Sequence, residues 1–198
     1  MKVNQHAFDI GQLAQRLSSG YCTHLAAITV ACNPHAGILA PERLPGDRIP
    51  IGTVKRKDGT EHQFHFLHYL KEASNDKIVS EELERVWLSG SLLRLGDALA
   101  IHNYFDRAPE LELVRHLRNG IAHGNRFRID NPSGLKKFPA HNRLALSRSS
   151  LKTDFEISPR LNGTKVLFDF MEAGDVLDVL TSVAMYLIRM GNGESLRT

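Results

Sequence analysis

The sequence predicts a mainly α-helical fold: a bundle of about four long helices with small β-hairpin insertions. Three observations predict it. Four stretches repeat apolar residues at three- and four-residue steps, the period of a helix with one buried stripe. Strand-like runs are short and gather around Asp58-Gly59 and Asn162-Gly163, two hairpin-turn dipeptides. The intervals between the long stretches are broken by proline and glycine. At 198 residues, 42% apolar and 24% charged, the chain has ordinary globular composition. One domain over 1–198, with insertions at about 34–66 and 125–170, is therefore expected.

The first helix is expected from about His6 to Cys32, with Ile10, Leu13, Ala14, Leu17, Tyr21, Leu25 and Ile28 along one stripe. Asn33-Pro34 ends it, because proline pushes the preceding residue out of the helical region. Prolines 34, 41, 45 and 50 mark a loop. Ile51–Val54 and Glu61–Phe66 then read as a hairpin, and Phe66–Ala73 as a short helix. The longest helix is expected from Ser80, as N-cap, to Phe105. Leu83, Val86, Trp87, Leu92, Leu93, Leu95, Leu99 and Ile101 make it apolar over a wide arc. Pro109 opens the next helix, which stops at Gly124-Asn125. Asn131-Pro132-Ser133-Gly134 reads as a turn, and Leu144–Leu146, Asp154–Ile157 and Lys165–Phe170 as short strands. The last helix is expected from Ala173 to Met190, before Gly191-Asn192-Gly193.

No apolar run reaches the roughly 18 residues of a membrane span, and Met1–His6 does not lead into a signal-peptide core. Cys22 and Cys32, ten residues apart on one expected helix, would lie roughly 15 Å apart and cannot bridge each other there. They are read as core packing in a cytoplasmic, reduced protein with no membrane association. The net charge of +3 is unevenly spread. Between Leu113 and Lys152, nine basic residues (Arg115, Arg118, Arg126, Arg128, Lys136, Lys137, Arg143, Arg148 and Lys152) face Asp130 alone. That segment carries +8 and the remainder −5. Such asymmetry points to a polyanion-binding surface, with a solvated basic loop as the plainer alternative.

The helix from Pro109 to His123 carries the chemistry. At about 100° per residue, Leu113, Val114, Leu117 and Ile121 gather on one side, with Gly120 at their edge. Glu112, His116, Asn119 and His123 gather on the other, with Arg118 at the boundary. Arg118 offers fixed donors for a phosphate. His123 is of the residue type that titrates near neutral pH, which suits acid–base cleavage of RNA. The substrate's own 2′-hydroxyl is a sufficient nucleophile, so the chemistry requires no metal or cofactor.

Arg118-Asn119-x-x-x-His123 near the end of a late helix resembles the HEPN family, whose motif is Arg, a polar residue, then His a few positions on. The resemblance covers about fifteen residues, from Leu113 to Phe127. It implies a HEPN-like bundle and a homodimer that brings two motifs together. It also implies metal-independent endoribonuclease activity on single-stranded or loop RNA, often in toxin, antiviral or stress systems. Arg118, Asn119 and His123 would be catalytic. Arg115, His116, Arg126, Arg128, Lys136, Lys137 and Arg143 would bind RNA. The alternative is a catalytically silent HEPN-type module that dimerises or docks on a partner, such as an antitoxin or a nucleotidyltransferase-like protein. Two features depart from a simple transfer: the large insertions, and Gly120, which costs roughly 1 kcal/mol of helix propensity unless something must approach closely there.

Asp97, His102 and Asn103 on the long central helix are candidates to support the motif, or to serve as plain helix-end residues. Arg56 and His62 also satisfy a loose Arg-to-His spacing but straddle the Asp58-Gly59 turn, and are read as a decoy. His62, His65 and His68, like His24 and His35, lack recognised metal-ligand spacing.

Overall fold

The structure is a computed structural model that describes residues 3–42, 46, 49–143 and 153–194. Its elements are α1 (Gln5–Ala31), β1 (Ile51–Lys55), β2 (Glu61–His65), α2 (Phe66–Asn75), α3 (Lys77–Ile101), α4 (Pro109–Ala122), α5 (Pro132–Lys137) and α6 (Ala173–Gly191). The fold is thus mainly helical with a small antiparallel hairpin. The four long helices lie where apolar periodicity placed them, within a few residues at each end. No described helix is long and apolar enough to cross a membrane.

The chain packs as two compact units, Met1–Tyr21 with Arg85–Thr198, and Cys22–Glu84. The first unit holds the hydrophobic core. Ala7, Ile10, Ala14 and Tyr21 of α1 are buried there, with Leu88, Leu92, Leu95 and Leu99 of α3, and α4 and α6 complete it. α1 and α6 approach closely because both present glycine. A Cβ on Gly11 would stand 2.8 Å from the Ile188 side chain, and one on Gly191 2.6 Å from Phe8 Cβ. The helix ends are well terminated. Asn4 Oδ1 accepts from the Ala7 N–H (3.2 Å) and from the Tyr104 hydroxyl (2.9 Å). α3 stops in a Schellman motif: Asn103 takes φ +53°, its N–H donates to Ala100, and the Tyr104 N–H donates to Leu99. Glu172 and Asp175 form a capping box on α6.

In the second unit β1 and β2 pair with Ile51 opposite His65 and Lys55 opposite Glu61. The ring of Phe64 covers its partner Gly52, where a Cβ would stand only 2.2 Å from it. Gly59 takes φ +86° in the Asp58-Gly59 turn. Among the described residues few side chains of this unit are buried, and Leu25, Val30, Ile38, Leu39, Val54, Tyr69, Ile78 and Leu83 are exposed.

Several expectations are corrected. α3 begins before Ser80, because Asp76 Oδ1 accepts from the N–H groups of Ile78 (2.9 Å) and Val79 (3.3 Å) and does the capping. Leu83, Val86, Trp87 and Ile101 are exposed, so the wide apolar arc of α3 buries only its Leu88–Leu99 stretch. Cys22 and Cys32 are exposed free thiols, not core packing. The turn at Asn131-Pro132-Ser133-Gly134 opens the short α5, with Asn131 accepting from the Gly134 N–H and Pro132 in the first turn. The strands expected at Asp154–Ile157 and Lys165–Phe170 reduce to single bridges, His141 with Glu156, Arg126 with Lys165, and Leu167 with Met171. Among the described residues no neighbouring strand extends those bridges into a ladder. The Leu144–Leu146 strand lies outside the described residues.

Candidate functional site

α4 begins with Pro109 in its first turn and buries Leu113, Val114, Leu117 and Ile121, the expected apolar face, and Leu111 besides. At Gly120 the returning chain comes close to the helix. A Cβ there would lie 2.4 Å from Val166 Cγ2 and 3.3 Å from the Arg126 carbonyl oxygen. The glycine within the motif therefore answers a close approach of side chain and backbone. Past the helix, Gly124 and Asn125 take φ +81° and +61°, and the Arg126 N–H donates back to the Gly120 carbonyl (2.9 Å). The Asn125 side chain clamps Leu167, accepting from its N–H (2.8 Å) and donating to its carbonyl (3.2 Å). This left-handed bend and clamp fix the backbone just beyond His123.

Arg118 is held on two sides. Its Nε and Nη2 both donate to Asp97 Oδ1 on α3, at 2.9 and 2.7 Å, and its Nη1 donates to Asn119 Oδ1 at 3.3 Å. Its stem crosses Gly96, where a Cβ would come within 2.4 Å of Arg118 Cγ. Among the described residues three of the five guanidinium N–H groups find a partner, leaving two for a ligand. The pair is half-exposed, so its main effect is orientation and not stability. His123 closes α4 with its backbone N–H on the Asn119 carbonyl (3.0 Å). Its imidazole is exposed and makes no hydrogen bond to a described residue. Arg118, Asn119 and His123 thus share the C-terminal end of α4.

The upstream half of the polar stripe differs from expectation. Glu112 is only 3% exposed and the His116 side chain 15%. Glu112 pairs with Arg115, and burial pushes its carboxyl above the usual range against the pull of that arginine. Burial, then the Arg115 charge, depress His116 to about 4, so its imidazole is neutral at physiological pH. Glu112 Oε1 lies 3.7 Å from it, too far for a hydrogen bond. His116 is therefore not a cationic RNA contact. A helical wheel shows which residues share a side but not what covers that side. Here the chain returns to the start of α4, where the His141 N–H donates to the Pro109 carbonyl (3.2 Å).

The basic segment is also less free than its count suggests. Besides Arg118 and Arg115, Arg143 pairs with Asp154 (3.2 Å) and with Glu156, and Arg128 with Asp130 (3.0 Å). Arg126 donates to the Gly163 carbonyl (2.6 Å). Asp97, Glu112, Asp154 and Glu156, all outside the segment in sequence, supply most of this neutralisation. Lys136 and Lys137 remain exposed on α5, with Lys137 over the Phe138 ring. Arg148 and Lys152 lie outside the described residues. Of the three candidates expected on the central helix only Asp97 meets the motif. His102 instead stacks on His6, ring centroids 4.4 Å apart, and Asn103 makes the helix-ending turn.

In the second unit Arg56 Nη2 and His62 Nδ1 stand 3.4 Å apart across the exposed hairpin. His65 caps α2 and His68 pairs with Glu72 (3.3 Å). Among the described residues no group of three or more His, Cys, Asp or Glu is placed to hold a metal ion. Sequence reasoning missed Gly96 and the Asn125 clamp. The only signals for them were a glycine inside a helix and an asparagine after one. No family model, curated protein or solved structure matches this chain.

Proposed function

We propose that this protein is a metal-independent endoribonuclease of HEPN type, cutting single-stranded or loop RNA in a toxin, defence or stress system. The observation that carries the reading is one helix end where an exposed His123 stands beside Asn119 and an Arg118 held by Asp97. In this reading the two outward N–H groups of Arg118 bind the scissile phosphate. His123 takes the proton of the 2′-hydroxyl, or gives one to the departing 5′-oxygen. The P–O5′ bond breaks as the O2′–P bond forms, leaving a 2′,3′-cyclic phosphate and a 5′-hydroxyl. One chain supplies one such imidazole, and a homodimer with both His123 side chains in a shared cleft supplies acid and base together.

The test is cleavage of single-stranded RNA in EDTA, against the same sequence as DNA. RNA alone should be cut, to cyclic-phosphate ends. His123→Ala should slow it by about 10²–10⁴-fold, the usual scale of acid–base catalysis. Arg118→Lys should recover little of what Arg118→Ala loses, since the planar fork is gone. Cleavage that needs a divalent metal, or that survives His123→Ala, would sink the assignment.

The Arg118–Asp97 ion pair favours a second reading, because it partly neutralises the guanidinium. In that reading the chain is a catalytically silent HEPN-type module that docks on a second copy, an antitoxin or a nucleotidyltransferase-like protein. Asp97→Asn separates the two. A ribonuclease should lose rate with the anchoring of Arg118, whereas a silent module shows no cleavage in either form.

A further inference from the structure

Away from the motif, within the first unit, a cavity of about 290 Å³ opens between α1 and α3. His6, Asp9, Ile10, Leu13 and Arg16 line it from one face of α1, with Arg94 of α3 and His102 just past the end of α3. Buried Ile10 and half-buried Leu13 supply its apolar part. Two arginines against one carboxylate leave this lining at +1 with both imidazoles neutral and +3 with both protonated.

The partners of these groups set them apart from four other arginines of the unit. Arg115, Arg118, Arg128 and Arg143 each hold a carboxylate. Arg94 makes no hydrogen bond or ion pair to a described residue, and Arg16 makes one, to the neutral Gln12 Oε1 (2.7 Å). Asp9 accepts from Gln5 Nε2 (2.8 Å) and forms no ion pair with either arginine. His6 and His102 stack with centroids 4.4 Å apart and planes 24° from parallel. Unpaired like charges converging on one concavity do nothing for folding stability, and in a cleft they suit an anionic ligand.

We propose that this cavity is a phosphate-binding site. Two guanidinium groups and two imidazoles line it from α1 and from the C-terminal half of α3 with the residue that follows. That suits a tetrahedral group with several acceptor oxygens better than a planar carboxylate, which one arginine fork satisfies. The phosphate belongs either to an RNA chain or to a small free phosphate compound. The site does not depend on the ribonuclease reading, since its occupancy is read by binding.

The test is NMR of the histidine side chains during titration with inorganic phosphate, against chloride at matched ionic strength. The His6 and His102 ring signals should shift saturably with phosphate and not with chloride. The double variant Arg16→Gln/Arg94→Gln alters two exposed helix positions and should keep the wild-type melting profile. It should bind phosphate at least about tenfold more weakly, the scale of one or two charge-assisted hydrogen bonds. Phosphate that behaves as chloride does, or a double variant that binds as the wild type does, would overturn the proposal. A single-stranded RNA arm then identifies the source. If RNA supplies the group, inorganic phosphate competes with RNA and the double variant weakens both. If a small phosphate compound supplies it, the double variant loses phosphate and keeps RNA. Either result upholds the site.

Discussion

Gly120→Ala sets two well-separated effects against each other. Alanine in mid-helix is better than glycine by about 1 kcal/mol, so at an open site the change stabilises. At Gly120 the added Cβ meets Val166 Cγ2 at 2.4 Å and the Arg126 carbonyl oxygen at 3.3 Å. Val166 is fully buried and valine has little χ1 freedom in a packed core, so its methyl cannot swing clear. Either Val166 or the returning backbone must move by roughly an ångström. Overpacking of that kind costs about 1–3 kcal/mol, and with a carbonyl also in the way the upper half of the range applies. The net expectation is destabilisation by about 1–2 kcal/mol, or a melting temperature lower by roughly 2–8 °C for a chain of this size. Urea unfolding measures it directly. A cycle with Val166→Ala isolates the cause. Val166→Ala alone should cost roughly 1.5–3 kcal/mol for the lost burial, yet in its background Gly120→Ala should be neutral or mildly stabilising. If Gly120→Ala stabilises the otherwise unaltered protein, the close approach is not what the glycine serves.

Three further outcomes are expected. His116 is depressed to about 4 in the fold against an ordinary 6.5, so the unfolded chain takes up its proton first. Stability from this group is therefore complete above pH 6.5 and is lost as pH falls toward 4, by about 2 kcal/mol at pH 5. The upward shift of Glu112 acts in the opposite sense, so His116→Gln should flatten the decline in urea midpoints between pH 7 and 5, and an unaltered decline would place its origin elsewhere. Asn125→Ala removes two hydrogen bonds to Leu167 and leaves an alanine at φ +61°, together about 2–3 kcal/mol. Asn125→Gly should recover the backbone share alone, and equal stabilities for all three forms would remove the clamp from the account. If RNA runs over α5, Lys136→Ala/Lys137→Ala should lower the salt slope of single-strand binding by about 1.4, at roughly 0.7 per phosphate neutralised. An unchanged slope would put the RNA path off α5.

The helices were legible because their signal is local and repeated. The stripe from Leu113 to Ile121, with Pro109 before it and Gly124 after it, specifies α4 and its buried face without reference to the rest of the chain. The order Arg118, Asn119, His123 is legible for the same reason, since one helix end brings the three together whatever surrounds it. The Asp58-Gly59 hairpin is likewise a local decision of backbone conformation.

Tertiary structure alone decided which side of each helix is covered and which charges are met. The wheel put Glu112, His116, Asn119 and His123 on one polar side, yet burial runs along that side from a 3% exposed Glu112 to an open His123. A run of nine basic residues looked like one positive surface, but Asp97, Glu112, Asp154 and Glu156 reach its arginines from other parts of the chain. Arg16 and Arg94, seventy-eight positions apart, drew no notice in the sequence and yet line one cavity. Helix periodicity and turn chemistry act over a few residues, so the sequence by itself determined the elements and the motif. Solvation and ion pairing depend on neighbours distant along the chain, so exposure, protonation and free charge were decided only when those neighbours met.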